Sequence, residues 1–349
     1  MCSKYFQLFW FLIITPSLIF FGCTSDESYD NKGFVSEVNT LLSEIPFVIV
    51  GGNAGANGDH NVILSSNDGI TWENISLSSL TFNTDPTFKD VVYGDQFLIV
   101  GSSGTVLYTT DSISWNNVSL QSPLNYNWEN ITYGNSTYLA SSPNNGSTTG
   151  KLMYSTNGTS WTDINTGLSA SESIQGVTYC LDKFIYWIGS STYSTSSNGI
   201  NWGSPLSGPG PINSVKLHCI NDIFVVAGDP QSSGHVFFSS NDLSSLSSLR
   251  LNGDLSETQT IVKGIAYGNN KYVAIIQTMN NGFELRYSSN FNSSNWTKIT
   301  TSLSSMNDIT FRNNKFIIVG GGGQIKYSFD GTNWLTGNSG TTSTLNSIY

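Results

Sequence analysis

One short pattern recurs along the chain and dictates what it can fold into. Six tryptophans each close a turn rich in Ser, Asn, Asp and Gly: Trp72, Trp115, Trp161, Trp202, Trp296 and Trp334. Successive gaps are 43, 46, 41, 94 and 38 residues. The gap of 94 is twice 47, and a degenerate unit lies inside it. That unit reads His235-Val236-Phe237-Phe238-Ser239-Ser240-Asn241-Asp242, with Leu246 or Leu249 where Trp belongs. Seven units of about 44 residues account for residues 45–349 and leave no room for a second domain. A single core stops growing near ~250–300 residues, so a repeat array also explains the length of 349.

Each unit has the same internal order. An alternating strand ends in Tyr-Gly, as in Asp90-Val91-Val92-Tyr93-Gly94 and Asn130-Ile131-Thr132-Tyr133-Gly134. A tight turn such as Asn269-Asn270 follows, then a continuous apolar run such as Phe97-Leu98-Ile99-Val100-Gly101. A variable loop leads to a third strand, such as Val106-Leu107-Tyr108, and the Ser/Asp/Gly turn opens a short fourth strand at the Trp. Period-2 patterning with frequent turns reads as four antiparallel strands. Runs that are apolar throughout must be covered on both faces. The expected fold is all-β: a seven-bladed β-propeller of four-stranded antiparallel blades over residues 46–349. The first unit begins at a second strand, Phe47–Gly51, and the chain ends on a spare first strand, Leu345–Tyr349. Pairing of that C-terminal strand with the N-terminal blade would close the ring and remove an open edge.

Composition narrows the function. Lys+Arg number 14 against 24 Asp+Glu, for a formal charge of −10. That balance offers no footprint for a nucleic-acid backbone. No CxxC, Cys/His cluster or calcium-loop spacing appears, so no metal and no cofactor are expected. Cys180 and Cys219 lie 39 residues apart, about one repeat. In an exported chain they either form a disulfide between neighbouring units or stand as two buried thiols.

Residues 1–22 read as a signal peptide: a basic start at Lys4, then an apolar stretch to Phe21. Gly22-Cys23 at its end resembles a bacterial lipobox, with Phe20 and Phe21 in place of the usual Leu and small residue. The resemblance implies that Cys23 carries lipid and anchors the chain to a membrane of the cell envelope, at the outer membrane or cell surface. An uncleaved anchor and plain secretion are the alternatives. Residues 23–45 would be a lipidated tether with one short helix through Phe34, Val38, Leu41 and Leu42.

The recurring turn resembles the Asp box, or BNR repeat, of the sialidase superfamily. The copies that carry it best are Ser66, Asp68, Gly69 and Trp72, and Ser328, Asp330, Gly331 and Trp334. Both are one residue shorter between Asp and Gly than the family's pattern. The resemblance implies a structural turn, on the propeller face away from a sialidase active site. Sialidases hold their substrate carboxylate with three arginines spread around the ring. This chain has only Arg250, Arg286 and Arg312, all in its last third.

Candidate binding residues follow from the repeat. First strands are innermost, so residues at their starts ring the channel mouth: Asp90, Glu129, Asn130, Lys263, Asn307, Asp308 and Asn346. They either bind a ligand or simply solvate the channel. Tyr126 and Trp128 end a long connection and would serve as exposed anchors or pack between blades. No catalytic set converges in the sequence. The chain is expected to be a non-catalytic envelope lipoprotein that binds a protein or glycan through its loop-rich face. The alternatives are a sialidase-like or other glycoside hydrolase, and an assembly or scaffold factor for a membrane protein.

Overall fold

The continuous apolar runs become second strands buried along their whole length, as at Phe47–Gly51 and Phe97–Gly101. In the computed structural model the described residues are 45–349, apart from 53–60, 83–84, 119–125, 145–148, 170–171, 190, 211, 230–234, 240–242, 252–259, 279–281, 294 and 300–303. The chain divides into Met1–Glu44 and Ile45–Tyr349. The expected signal peptide, the Cys23 lipidation site and the short helix all lie outside the described residues.

The protein is an all-β propeller of four-stranded antiparallel blades. The described residues form seven four-stranded sheets, each strand pairing with the next in sequence. The exception is the sheet that joins the chain's two ends, where Leu345–Ile348 pairs antiparallel with Phe47–Gly51, matching Ile348 to Ile49. The inner strands are Leu345–Ile348, Phe88–Tyr93, Asn130–Gly134, Ile174–Cys180, Asn213–Ile220, Thr260–Gly268 and Met306–Arg312. They touch one another in that cyclic order, the last meeting the first. Fourth strands are short and exposed, as at Glu73–Asn74 and Asn116–Asn117.

Local chemistry sets the turns. Between first and second strands, φ is positive at both central residues of Asn135-Ser136, Leu181-Asp182, Asn221-Asp222, Asn269-Asn270 and Asn313-Asn314. That primed hairpin geometry matches the twist of the flanking strands. In the Ser/Asp/Gly turn, the Gly69 N–H donates to Ser66 Oγ at 2.8 Å. The Ile70 and Thr71 N–H groups both donate to Asp68 Oδ1 at 2.8 Å. Asp111, Asn157, Asn198 and Asp330 accept the same pair of backbone bonds. The bond from the Ser114 N–H is the main cause that holds the Asp111 carboxyl down to about 2. Gly69 has φ of 69°, and a Cβ there would meet the Ile317 side chain at 2.7 Å.

The Tyr-Gly ending of the inner strands is a joint between sheets. A Cβ on Gly94 would come within 2.5 Å of the Tyr133 ring of the next sheet, and Gly134 and Gly268 sit closer still against Tyr179 and Phe311. The aromatic of one inner strand thus lies flat on the glycine of the strand before it. At one joint this contact is replaced by a disulfide: Cys180 takes the glycine position and Cys219 the aromatic one, with Cα atoms 5.3 Å apart. Beside the closing strand, Arg312 takes the glycine position. Its guanidinium stacks between Phe47 at 4.3 Å and Tyr349 at 4.9 Å.

Candidate binding site at the channel mouth

Six of the seven inner strands carry an irregularity near their start, and this aims their polar side chains. Pairing with the second strand slips between Phe88 and Asp90, Ile174 and Gly176, Val262 and Gly264, and Met306 and Asp308. The same slip occurs in Asn213–Ile220 and where Leu345–Ile348 closes the ring. A bulge of this kind redirects a side chain and leaves a residue outside the ladder. Here it turns Lys89, Lys263, Asn307 and Asn346 toward the channel, and Glu129 reaches it ahead of Asn130–Gly134, the inner strand that pairs without a slip. They line a cavity of about 800 Å³ together with Asp90, Asp308, Lys216, His218 and Ser347.

Two of these side chains hold neighbouring sheets together. Asp90 Oδ2 accepts the Ile131 N–H at 2.9 Å, and its Oδ1 accepts the Ser347 hydroxyl at 2.7 Å. Asp308 Oδ2 accepts the Ile348 N–H at 3.1 Å. The amides extend the pattern: Asn307 donates to the Leu345 carbonyl at 2.9 Å and Asn346 to that of Phe88 at 2.7 Å. Each bond runs from one inner strand to an adjacent one. Lys216 reaches past Gly264 to donate to the Asn307 carbonyl at 2.7 Å, and it pairs with Asp308 at 3.3 Å.

Burial perturbs the mouth's titrating groups. Desolvation pushes Asp90 up to about 6 against the pull of the Ile131 and Ser347 bonds. Desolvation, then the charge of Lys216, brings His218 down to about 4. The same two causes lower Lys263.

The expected residues separate into groups. Asp90, Glu129 and Asp308 do meet in the channel. Glu129 pairs with Lys89 at 3.4 Å near the surface, an arrangement worth little in stability. Trp128 does not project as an anchor: it is only 1% exposed and packs with Leu98, Val100 and Ile131 between two sheets. Its ring is the volume that fills that gap. Tyr126 is half-buried against it, with the Lys151 ammonium 5.8 Å from its ring centre. Lys216, His218 and Ser347 join the site without having been expected there. Of the arginines, Arg286 is buried in an ion pair with Glu284 at 2.6 Å. Arg312 is held by its two rings, and neither lines the cavity. Among the described residues, no group of three or more His, Cys, Asp or Glu is placed to hold a metal ion.

No family model matches the chain, and no curated protein does. Solved propellers do. A structure of YCF48 from Cyanidioschyzon merolae is 16% identical with a TM-score of 0.54, over 73% of this chain and 86% of that one. A structure of YCF48 bound to D1 peptide gives 16% and 0.57, over 74% and 84%. A putative 6-phosphogluconolactonase from Bacteroides fragilis gives 9% and 0.61, over 87% and 97%. At these identities the likeness is one of fold.

Proposed function

We propose that the chain is a lipid-anchored envelope protein whose seven-bladed, Asp-box propeller binds a protein or glycan partner through its loop face and channel mouth. The observation that carries this reading is the state of the mouth carboxylates. Asp90 and Asp308 spend their oxygens on bonds between sheets, while the cavity they border stays open and polar. A glycoside hydrolase needs two carboxylates free to meet its substrate. A protein partner is favoured over a glycan, because a propeller of this kind, YCF48, has been solved bound to D1 peptide. An assembly or scaffold role for a membrane protein is the form that binding would take.

Affinity capture from membranes with the full chain, alongside a glycan array, tests the reading. A specific protein or glycan retained at the propeller is the expected result. Turnover of a glycoside, abolished by Asp90→Asn or Asp308→Asn, would overturn it in favour of hydrolysis. Metabolic labelling with a fatty acid tests the anchor, and Cys23→Ser should remove the label.

A further inference from the structure

We propose that the part of the mouth built by Asn213–Ile220 and Thr260–Gly268 binds the carboxylate of a small polar ligand. Lys263 is its counter-charge, and Lys216 and His218 are hydrogen-bond partners. The proposal rests on the reading of the mouth as a binding site and names the chemistry of its occupant.

Charge placement comes first. Three lysines and three carboxylates line the cavity of a chain whose net charge is −10. Lys89 pairs with Glu129 and Lys216 with Asp308. Asp90 is engaged by the N–H groups of Val91 and Ile131 and by the Ser347 hydroxyl. Among the described residues, Lys263 is the lining ammonium left without a carboxylate partner. It is half-buried, and burial and Lys216 both disfavour its charge. An anion beside it would relieve both penalties.

Access and donors come second. Gly176 stands where the neighbouring inner strands carry Asn130 and Lys216, so the wall has no side chain of its own at that place. His218 lies two residues after Lys216 on the same strand face, and its Nε2 is buried without a partner. As a neutral imidazole it adds a polar contact without adding charge. An ammonium that no lining carboxylate pairs with suits a monoanion. A phosphate dianion would also face Asp90, Glu129 and Asp308 across the same cavity, and a cation would sit against Lys263. Asn130, Thr132, Gln175 and Thr178 give the rest of a small ligand amides and hydroxyls to bond.

Calorimetry on the full chain tests this with two matched pairs. One is glucuronate against glucose; the other is a tripeptide with a free against an amidated C-terminus. The expected result is that one carboxylate member binds at least about tenfold more tightly than its neutral counterpart. Lys263→Gln should remove that preference at unchanged thermal stability, Lys263→Arg should keep it, and Lys298→Gln, outside the cavity, should leave it within about twofold. The member that binds tells a sugar acid from a peptide end. Equal binding of a neutral counterpart, or a preference that survives Lys263→Gln, overturns the proposal. A partner captured equally by wild type and Lys263→Gln, with no carboxylate bound by either, overturns this site and leaves the broader reading standing. Carboxylate binding with no captured partner does the reverse.

Discussion

Asp90 and His218 border one cavity and titrate in opposite senses. With Asp90 raised to about 6, the folded state keeps a proton that the unfolded chain has released. Its contribution therefore favours folding at low pH and is lost as pH rises from about 4 to about 6. With His218 lowered to about 4, the folded state refuses a proton that the unfolded chain takes up near 6.5. That contribution is present above pH ~6.5 and is lost as pH falls toward ~4. The two cancel in one window, so the wild-type Tm should stay nearly level between pH 4 and 6.5. Asp90→Asn should melt lower at pH 4 than at 6.5, and His218→Gln should melt higher at pH 4 than at 6; thermal scans in matched buffers check both. Elsewhere, Arg286 and Glu284 have side chains only 8% and 4% exposed, and the second Glu284 oxygen meets Lys298 at 2.5 Å. Arg286→Ala would leave a buried carboxylate short of its main partner and should cost about 3–5 kcal/mol in urea unfolding. Lys298 is 61% exposed, and its removal should cost under about 1 kcal/mol. The repeat alignment points to Asp90, Glu129, Lys263 and Asp308 as channel residues without any coordinates. It misses Lys216 and His218 because Cys219-Ile220 stands where other inner strands carry the Tyr-Gly landmark that sets the register. Nor can one strand reveal where its carboxylate goes, since the bulge that aims Asp90 exists only against its partner strand.

At the scale of the element, the joint between inner strands explains a motif that the sequence presents merely as a strand ending. Gly134→Val or Gly268→Val would drive a side chain into the facing aromatic ring and should cost about 1–3 kcal/mol. The disulfide occupies the same place. Its closed loop of 39 residues sets an upper bound of about 4 kcal/mol on what reduction removes. If the two contacts are interchangeable, Cys180→Gly with Cys219→Tyr should regain stability over Cys180→Ala with Cys219→Ala, as differential melting under reducing conditions would show. The cysteine spacing makes this bridge legible as a possibility. Its substitution for a glycine–aromatic contact becomes visible only once neighbouring sheets are side by side. Trp128 carries the same lesson: the sequence places it at the end of a loop, and only the adjacent sheet, with Leu98 and Val100, turns it into a core residue.

At the scale of the molecule, the ring is held shut by one short strand. Leu345 is fully buried and Ile348 is 6% exposed. Deleting residues 345–349 should cost about 3–6 kcal/mol from those two side chains alone, before the lost strand pairing is counted. A truncated chain melting with the full-length protein would refute closure by this strand. Repeat counting anticipates this architecture because the same pattern is written into every unit, whereas the loops that vary between units carry no such redundancy. The closing pair also has a mechanical meaning. Phe47–Gly51 and Leu345–Ile348 run antiparallel, and the Tyr349 N–H donates to the Val48 carbonyl at 2.9 Å, beside the point where the first strand begins. Tension applied at Pro46 and Tyr349 therefore loads these hydrogen bonds one at a time, like a zipper, rather than together in shear. Under a pulling force the propeller should part at this seam first, at low load, with the sheet between residues 174 and 207 still stapled to its neighbour by Cys180 and Cys219.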